Sequence, residues 1–427
     1  MLKKSIYNLV IDELSSGEVL LYNSLTGAFA ALNSEIYEIY TNIETYGLFE
    51  QDDFEENYIP LLKANGFIVN DSADELNQFK AMGNISRFGS NTLNFTIATT
   101  TFCNMKCSYC FENVQESKLN EEVSIKLVDF LKMQLINKKI KVFNVVWFGG
   151  EPLLELNKIN ELSKQFIEIC KQNNISYKSS VITNGILLNK ETAKMLVNTC
   201  NIEYVQITLD GDKSTHNSRR IFKQGDGFET IINNIMECKD IIRIIVRINI
   251  DNLNKNIIID LLNYLKTLKG FKETVYVYFA KVVGEFNYCM SNKKYDEVYI
   301  DLIEHLRTLN FKLSIENTYP KTSTIPCGAV STNNFVIDPT GNLYTCYYEL
   351  GLKERSIGNL LDGISLDKPY SDWLTVTNYM ECDSCNVLPI CNGGCPLDRL
   401  LNKPFKCTLE KNRCKGILKN YYSLMEN

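Results

Sequence analysis

Two histidines are all the imidazole in a chain of 427 residues, so any metal chemistry it carries is thiolate chemistry. Long apolar runs are missing too: none reaches the length that crosses a bilayer. At the amino terminus, MLKKSIYNLVIDELSSGE opens with two lysines, but Asp12 and Glu13 cut the following apolar stretch too short for a signal peptide. A basic excess is also absent, and a formal charge of −6 argues against wrapping nucleic acid. These absences predict a globular, cytoplasmic protein with neither membrane nor nucleic acid among its partners.

What the chain has instead is cysteine, 15 residues of it. Cytosolic thiols are kept reduced, which makes disulfides a poor use for so many and leaves metal or cofactor ligation. Thiolate-only sites suit iron-sulfur clusters or structural zinc, and spacing has to choose between them. At 45% hydrophobic content the chain buries a sizeable core, and its length suggests two or three domains.

Three regions follow one another. Residues 1–82 alternate short strand-like runs (SIYNLVI, GEVLLYN, AFAAL) with helical patterns starting near Ser34 and Asp53, and Asn65-Gly66 supplies a helix stop before FIV. This predicts a small winged, mixed α/β module. Its first 80 residues hold 14 acidic and 4 basic residues, a surplus suited to a basic peptide, although the acidic run EQDDFEE at 50–56 is more simply a solvated helix start. From 90 to 310, apolar strand candidates alternate with longer amphipathic helices: LNFTIATT, KVFNVVWF, KSSVIT, YVQITLD, IRIIVRINI and ETVYVYF. That alternation predicts an α/β fold with a parallel sheet, a partial (β/α)6 barrel whose site lies at the carboxyl ends of the strands. Residues 311–427 are rich in cysteines and turns.

The stretch TTFCNMKCSYCFENV directly follows the first barrel strand, and Gly149-Gly150-Glu151-Pro152 directly follows the second, so both converge on one rim. A structural zinc site wants four ligands, whereas Cys103, Cys107 and Cys110 on one short loop leave a fourth position open. Three thiolates there suit a four-iron cluster whose unique iron is left for an exogenous ligand. In the tail, thirteen residues separate Cys327 from Gly341, four separate that glycine from Cys346, and Cys382, Cys385, Cys391 and Cys395 come with gaps of two, five and three. Cys407 and Cys414 close the set.

CNMKCSYC resembles the cysteine triplet of the radical S-adenosylmethionine (radical SAM) superfamily, and GGEP resembles its motif for the methionine amine. The tail is similar to that superfamily's SPASM extension, and the first module looks like the PqqD-like peptide-recognition domain fused to maturases of ribosomally made peptides. The resemblance implies that Cys103, Cys107 and Cys110 hold a [4Fe-4S] cluster that cleaves S-adenosylmethionine to a 5′-deoxyadenosyl radical, with Tyr109 and Phe111 packed around it. Gly149 and Gly150 would let the cofactor approach the backbone, Glu151 would accept from its ammonium, and Asn184, Asp210 and Arg219, with Arg220 an equal rival, would reach its ribose or carboxylate. Two auxiliary [4Fe-4S] clusters are implied, one on Cys327, Cys346 and Cys395, the other on Cys382, Cys385 and Cys391 plus Cys407 or Cys414. An open iron on the first would take a substrate thiolate; a spare cysteine there would leave it an electron carrier. The implied activity is maturation of a precursor peptide whose leader binds residues 1–82, with a thioether as product and an external donor such as flavodoxin or ferredoxin.

Other readings stand beside this one. A carbon-carbon link, an epimerised centre or sulfatase-type oxidation would use the same parts, although Tyr347 follows Cys346 where sulfatase maturases carry an aspartate base. The cysteines could instead staple a non-enzymatic zinc scaffold. Cys170, Cys200, Cys238 and Cys289 read as small hydrophobes, and His216 and His305 as surface or packing residues.

Overall fold

The fold is seen in a computed structural model that describes every residue except 45–52, 113–115, 285, 315–318, 377, 379, 404–406, 408–409 and 426–427, and the side chains of 53–57, 137 and 410. The acidic run at 50–56 therefore lies outside the described side chains. The chain packs as two compact units, one of Met1–Arg87, Ser314–Cys327 and Val376–Asn427, the other of Phe88–Leu313 and Gly328–Thr375.

The first unit begins with β1 (Leu2–Lys4), β2 (Asn8–Glu13), β3 (Val19–Asn23), β4 (Phe29–Leu32) and, further on, β5 (Ile68–Asn70). Strands β2, β3 and β4 form an antiparallel meander, and β1 pairs with β5. Helix Ser34–Asn42 is capped by Asn33, whose side-chain oxygen accepts from the Ile36 N–H at 2.9 Å. Helix Asp53–Ala64 ends where expected, with Gly66 at φ +78° returning its N–H to the Lys63 carbonyl. One apolar cluster joins Leu21, Leu32, Ile39, Ile43 and Phe67 inside the module. A second joins its Leu9, Ile11, Leu20 and Tyr22 to Val387, Cys414 and Leu418, so the cysteine-rich end of the chain shares a core with its beginning.

The second unit is built on β6 (Thr92–Thr100), β7 (Met105–Cys107), β8 (Val142–Gly149), β9 (Ser176–Thr183), β10 (Ile202–Thr208), β11 (Arg220–Phe222), β12 (Arg243–Ile250) and β13 (Tyr276–Lys281). Strands β6, β8, β9, β10, β12 and β13 lie parallel, with β13 at one edge and β6 at the other end of the six. These are the six runs expected from the sequence. Beyond β6 comes β14 (Asn334–Ile337), also parallel, then antiparallel β15 (Asn342–Tyr344), β16 (Gly358–Asn359) and β17 (Gly363–Ile364). Residues 311–427 are thus shared between the units: 328–375 extend this sheet, and 376–427 pack in the first unit.

Helices Glu121–Asn137, Leu156–Gln172, Lys190–Asn198, Gly227–Cys238, Ile258–Thr267 and Asn292–Thr308 return the chain between strands and cover one face of the sheet. Side chains alternate across a strand, so Phe95, Val145, Val181, Ile207, Val246 and Val277 go to the helix-covered core. Their neighbours Thr96, Val146, Ile182, Gln206, Arg247 and Tyr278 face the other way and stay partly exposed. Cys170, Cys200 and Cys238 are 1%, 0% and 0% exposed and pack in that core as small apolar groups. No helix among the described residues is long and apolar enough to cross a membrane.

Candidate active site

The cysteine loop leaves β6 at Thr100 and is held by the end of β8. Gly150 N–H donates to the Thr100 carbonyl at 2.9 Å and Glu151 N–H to the Phe102 carbonyl at 2.8 Å. A Cβ on Gly149, which has φ +110°, would meet the Thr100 oxygen at 2.2 Å, and one on Gly150 the Phe102 oxygen at 2.3 Å. Both glycines are therefore required by the chain's own backbone, a tighter demand than the approach of a cofactor. Glu151 is fully buried. Its Oε1 accepts from Leu153 N and Thr183 Oγ1 at 3.0 and 2.8 Å, and its Oε2 from Asn184 N at 2.7 Å. Burial raises its carboxyl and these bonds pull it back. This side chain ties the end of β8 to the end of β9.

The loop's far side is a two-stranded ribbon in which β7 pairs antiparallel with β11, placing Arg220 opposite Cys107. From this ribbon Tyr109 turns inward. Its hydroxyl donates to Asp210 Oδ2 and accepts from Arg220 Nη1 at 2.8 Å and Asn249 Nδ2 at 3.2 Å. Burial, ahead of the effects of Arg220 and Asp210, raises the phenol well above its usual range, so it stays protonated and donates. Asp210, fully buried, also accepts from Asn249 N at 3.2 Å. Arg219 pairs with buried Asp251 at 2.7 Å and lies 5.2 Å from the Tyr109 ring centre. Arg219 Nε and Nη1 and Arg220 Nε are buried polar atoms without a hydrogen-bond partner among the described residues. Beneath them His216, fully buried, accepts from Asp210 N at 3.4 Å, and burial, with the charge of Arg220 next, pushes its imidazole down to about 3.

On the other side of the loop Asn184 Nδ2 donates to Asn104 Oδ1 at 2.6 Å and lies 3.8 Å from Cys103 Sγ. The structure thus brings Cys103, Cys107, Cys110, Tyr109, Asn184, Asp210 and Arg219 to one rim. Phe111 turns outward, 41% exposed, and meets the Tyr348, Tyr347 and Phe148 rings at 4.5, 5.9 and 6.4 Å between centres. Sequence reasoning missed Asn104, Asn249 and Asp251. Asn249 was findable as the polar residue nearest the carboxyl end of the strand candidate IRIIVRINI, where the site was expected.

Among the described residues no three His, Cys, Asp or Glu side chains converge as ligands of one metal ion. The thiols of the loop nevertheless lie within reach of one another's charge, with Cys107 bearing on both Cys103 and Cys110. Burial pushes Cys103 up to about 11 and raises Cys107 and Cys110. A cluster takes its thiolates at separate corners rather than around one ion, and this donor set, with the Arg220 cation beside it, fits one.

Elsewhere, Cys346 stands in the second unit at the start of the turn Tyr347–Glu349, which is fixed by Glu349 accepting from Trp373 Nε1 at 2.9 Å and Arg355 Nε at 2.6 Å. Cys327, Cys382, Cys385, Cys391, Cys395, Cys407 and Cys414 belong to the first unit. There burial, and after it the charges of Cys391, Cys385 and Cys407, hold the Cys382 thiol up at about 11 against the lowering charge of Arg399. Cys414, 3% exposed, lies in the apolar cluster with Tyr22 and Leu418.

Residues 97–265 match the radical SAM superfamily, so the chain carries a radical SAM domain and is an enzyme of the kind that works with S-adenosylmethionine and a [4Fe-4S] cluster. Its relatives narrow the class. It is 26% identical over 360 residues to the cysteine-type anaerobic sulfatase-maturating enzyme of Clostridium novyi (strain NT), covering 73% of this chain and 93% of that one. It is 22% identical over 425 residues to the radical SAM cyclopropyl synthase TigE of Paramaledivibacter caminithermalis, covering 88% and 85%. In fold it is similar to Streptococcus suis SuiB bound to S-adenosylmethionine, with TM-score 0.53 and 16% identity over 92% of this chain and 95% of that one. It is likewise similar to native anSMEcpe with bound AdoMet, with TM-score 0.58 and 20% identity over 78% and 96%.

Proposed function

We propose that this protein modifies a ribosomally made precursor peptide, joining a cysteine sulfur of that peptide to one of its carbons as a thioether. The observation that carries the reading is the loop of Cys103, Cys107 and Cys110, pinned at the carboxyl rim of a parallel sheet inside a radical SAM domain. The relatives act on proteins or peptides by their names: a sulfatase maturase, and SuiB, solved with precursor peptide SuiA. Bound at this rim, the cofactor and cluster would supply a 5′-deoxyadenosyl radical, and the auxiliary clusters a one-electron acceptor.

A thioether is the peptide less two hydrogens, so the reaction needs one hydrogen-atom abstraction and the loss of one electron and one proton. The chain's own residues supply position. Cys103, Cys107 and Cys110 hold the cluster; Tyr109, fixed by Asp210, Arg220 and Asn249, sets the course of the loop; Asn184 holds Asn104 beside Cys103. Arg219, Arg220 and the backbone of Gly149 and Gly150 are the groups we assign to cofactor binding, Glu151 acting through the backbone it braces. We assign Cys327, Cys346 and Cys395, and Cys382, Cys385 and Cys391 with Cys407 or Cys414, to the auxiliary clusters on their order in the chain.

Residues 1–82 act as the leader-binding module. Among the described residues strand β4 ends the meander with one neighbour, β3, whereas on β2 the Asn8 carbonyl accepts from Asn386 Nδ2 at 2.8 Å and Asp12 pairs with Lys419 at 2.9 Å. An extended leader adds to the edge of β4. The enzyme works in the cytoplasm with flavodoxin or ferredoxin as electron donor. Sulfatase-type oxidation is the second reading, favoured by the 26% identity above and opposed by Tyr347 in the position after Cys346.

The test is to reconstitute the protein without oxygen, reduce it, add S-adenosylmethionine and measure 5′-deoxyadenosine, with a Cys103→Ala, Cys107→Ala, Cys110→Ala variant as control. Product from the wild type alone, and a peptide two hydrogens lighter when the precursor is added, are the expected results. Protein that takes up zinc in place of iron and makes no product overturns the reading.

A further inference from the structure

The face of the large sheet turned away from its helices is chemically uneven. Strand register identifies the residues that share it: Thr96, Val146, Ser180, Tyr204 and Arg243 form one row, and Thr208, Arg247 and Tyr278 a row nearer the rim. At the β14 side the face is apolar and filled, with Ala98, Val336, Tyr344 and Leu350 packed together and Phe148 against them. At the β12 and β13 side it is cationic and aromatic.

Arg243 lies 4.5 Å from the Tyr276 ring centre, Lys312 approaches the same ring at 4.6 Å, and Arg247 lies 5.9 Å from the Tyr278 ring. None of Lys178, Arg243, Arg247 and Lys312 forms an ion pair among the described residues. The strands bring no carboxylate to meet them: Glu203, the one acid within these six strands, sits at the register break at the start of β10, and Asp210 beyond β10 is taken by Tyr109 and Asn249. A chain with six more acids than bases has thus left a patch of one sign on the face that leads to the site. The lowered Tyr276 phenol, caused first by its bond to Lys312 and then by the Lys312 and Arg243 charges, reports the same field.

The patch is wired to the reactive loop. Arg247 Nε donates to Asn249 Oδ1 at 2.8 Å, and Asn249 Nδ2 donates to the Tyr109 hydroxyl at 3.2 Å. A group held by Arg247 therefore sits one side chain away from the residue that positions the cysteine loop.

The geometry points to a carboxylate-binding subsite for the substrate peptide: Arg247 beside Tyr278, and Arg243 and Lys312 beside Tyr276, receive aspartate or glutamate side chains spaced along an extended segment close in sequence to the residue that is modified. The subsite rests on the peptide-modifying reading. It adds the substrate class, an acidic peptide segment, recognised by fork-like guanidinium pairing with aromatic walls.

The probe is a pair of fluorescein-labelled synthetic 12-residue peptides of Gly, Ala and Cys, one with three aspartates and its counterpart with three asparagines, titrated against the reconstituted full chain by anisotropy. The aspartate peptide is expected to bind about five- to tenfold more tightly at low salt, and the preference is expected to shrink with added salt. Arg243→Gln, Arg247→Gln is expected to abolish the preference and Arg247→Lys, which keeps the charge but loses the fork, to keep only part of it; Arg243→Gln alone, far from the Tyr109 network, is expected to weaken it should the double variant fail to fold. Equal affinities, no binding by either peptide, or a preference that survives the double variant overturns the subsite. So does loss of S-adenosylmethionine binding in Arg247→Gln with the aspartate preference unchanged, which would assign the guanidinium to the cofactor. Because the readout is binding, a chain that makes no 5′-deoxyadenosine yet prefers the aspartate peptide would sink the functional reading and leave the acidic-ligand site standing.

Discussion

Cysteines gather in two places in this molecule, and the two are built on opposite principles. The loop of Cys103, Cys107 and Cys110 is held by polar groups at strand ends: Asp210 and Asn249 on Tyr109, Asn184 on Asn104, and the Gly150 and Glu151 amides on the Thr100 and Phe102 carbonyls. In the first unit, Cys382 packs with Tyr7, Phe79 and Leu388, and Cys414 with Leu9, Leu20, Tyr22 and Val387. Directional bonds set geometry, whereas apolar burial sets stability. Damage to the first place is therefore expected to slow chemistry in a folded protein, and damage to the second to loosen the fold.

Leu388→Ala presses hardest on that contrast. The side chain is 1% exposed among Tyr7, Phe79 and Cys382, and a leucine lost from such a core costs about 3 kcal/mol. Urea unfolding followed by fluorescence is expected to show the first unit melting earlier, while 5′-deoxyadenosine formation below the transition is unchanged. A variant as stable as the wild type would mean that the two ends of the chain do not share a working core.

Asp210→Asn is the counterpart in the loop. The amide keeps the shape but weakens the acceptor for the Tyr109 hydroxyl, and groups that orient a metal site's first ring of residues typically change activity about 10- to 100-fold. The expected result is that loss in 5′-deoxyadenosine formation with the unfolding midpoint nearly unmoved and an altered electron paramagnetic resonance signal of the reduced cluster. Loss of stability with unaltered spectroscopy would reduce the network to packing.

The six parallel strands and the cysteine triplet were legible because each is a local signal: an apolar run of strand length, or ligands spaced within eight residues. Asn184, Asp210 and Arg219 were legible one step further, as polar residues just past strand ends, and the structure brings all three to the loop. Glu151 was legible only as a motif residue: that three donors, Leu153 N, Thr183 Oγ1 and Asn184 N, enclose its carboxylate follows from how the ends of β8 and β9 meet, which no local pattern encodes. The division of residues 311–427 between two units was illegible for a related reason. Whether β14 adds to β6 is decided by register against a strand some 240 residues away, which no local pattern encodes.

His216 offers a pH test of the polar side of the comparison. Its folded pKa of about 3 lies below the ordinary value of 6.5, so as pH falls the unfolded chain takes up the proton first. The stability tied to the neutral imidazole is complete above pH 6.5 and is lost progressively toward pH 3, about 2 kcal/mol of it by pH 5. Urea midpoints measured from pH 7 to pH 5 are expected to fall more steeply for the wild type than for His216→Gln. Parallel slopes would mean that Asp210 and the loop rest on a histidine that protonates freely.

The smallest effect belongs to the exposed ion pair of the first unit. Lys80 and Asp383 meet at 2.8 Å and join the helix Glu75–Phe88 to the segment carrying Cys382, yet both side chains are more than a third exposed. Water and salt screen such a pair, and the ordering of two long side chains offsets most of what the Coulomb attraction contributes. Asp383→Asn is therefore expected to move the unfolding free energy by no more than about 0.5 kcal/mol, and by still less in high salt. A loss comparable to that of Leu388→Ala would show that charge, and not the apolar contacts of Tyr7, Phe79 and Leu388, fixes the cysteine-rich segment to the module, and the contrast between the two places would fail on that side.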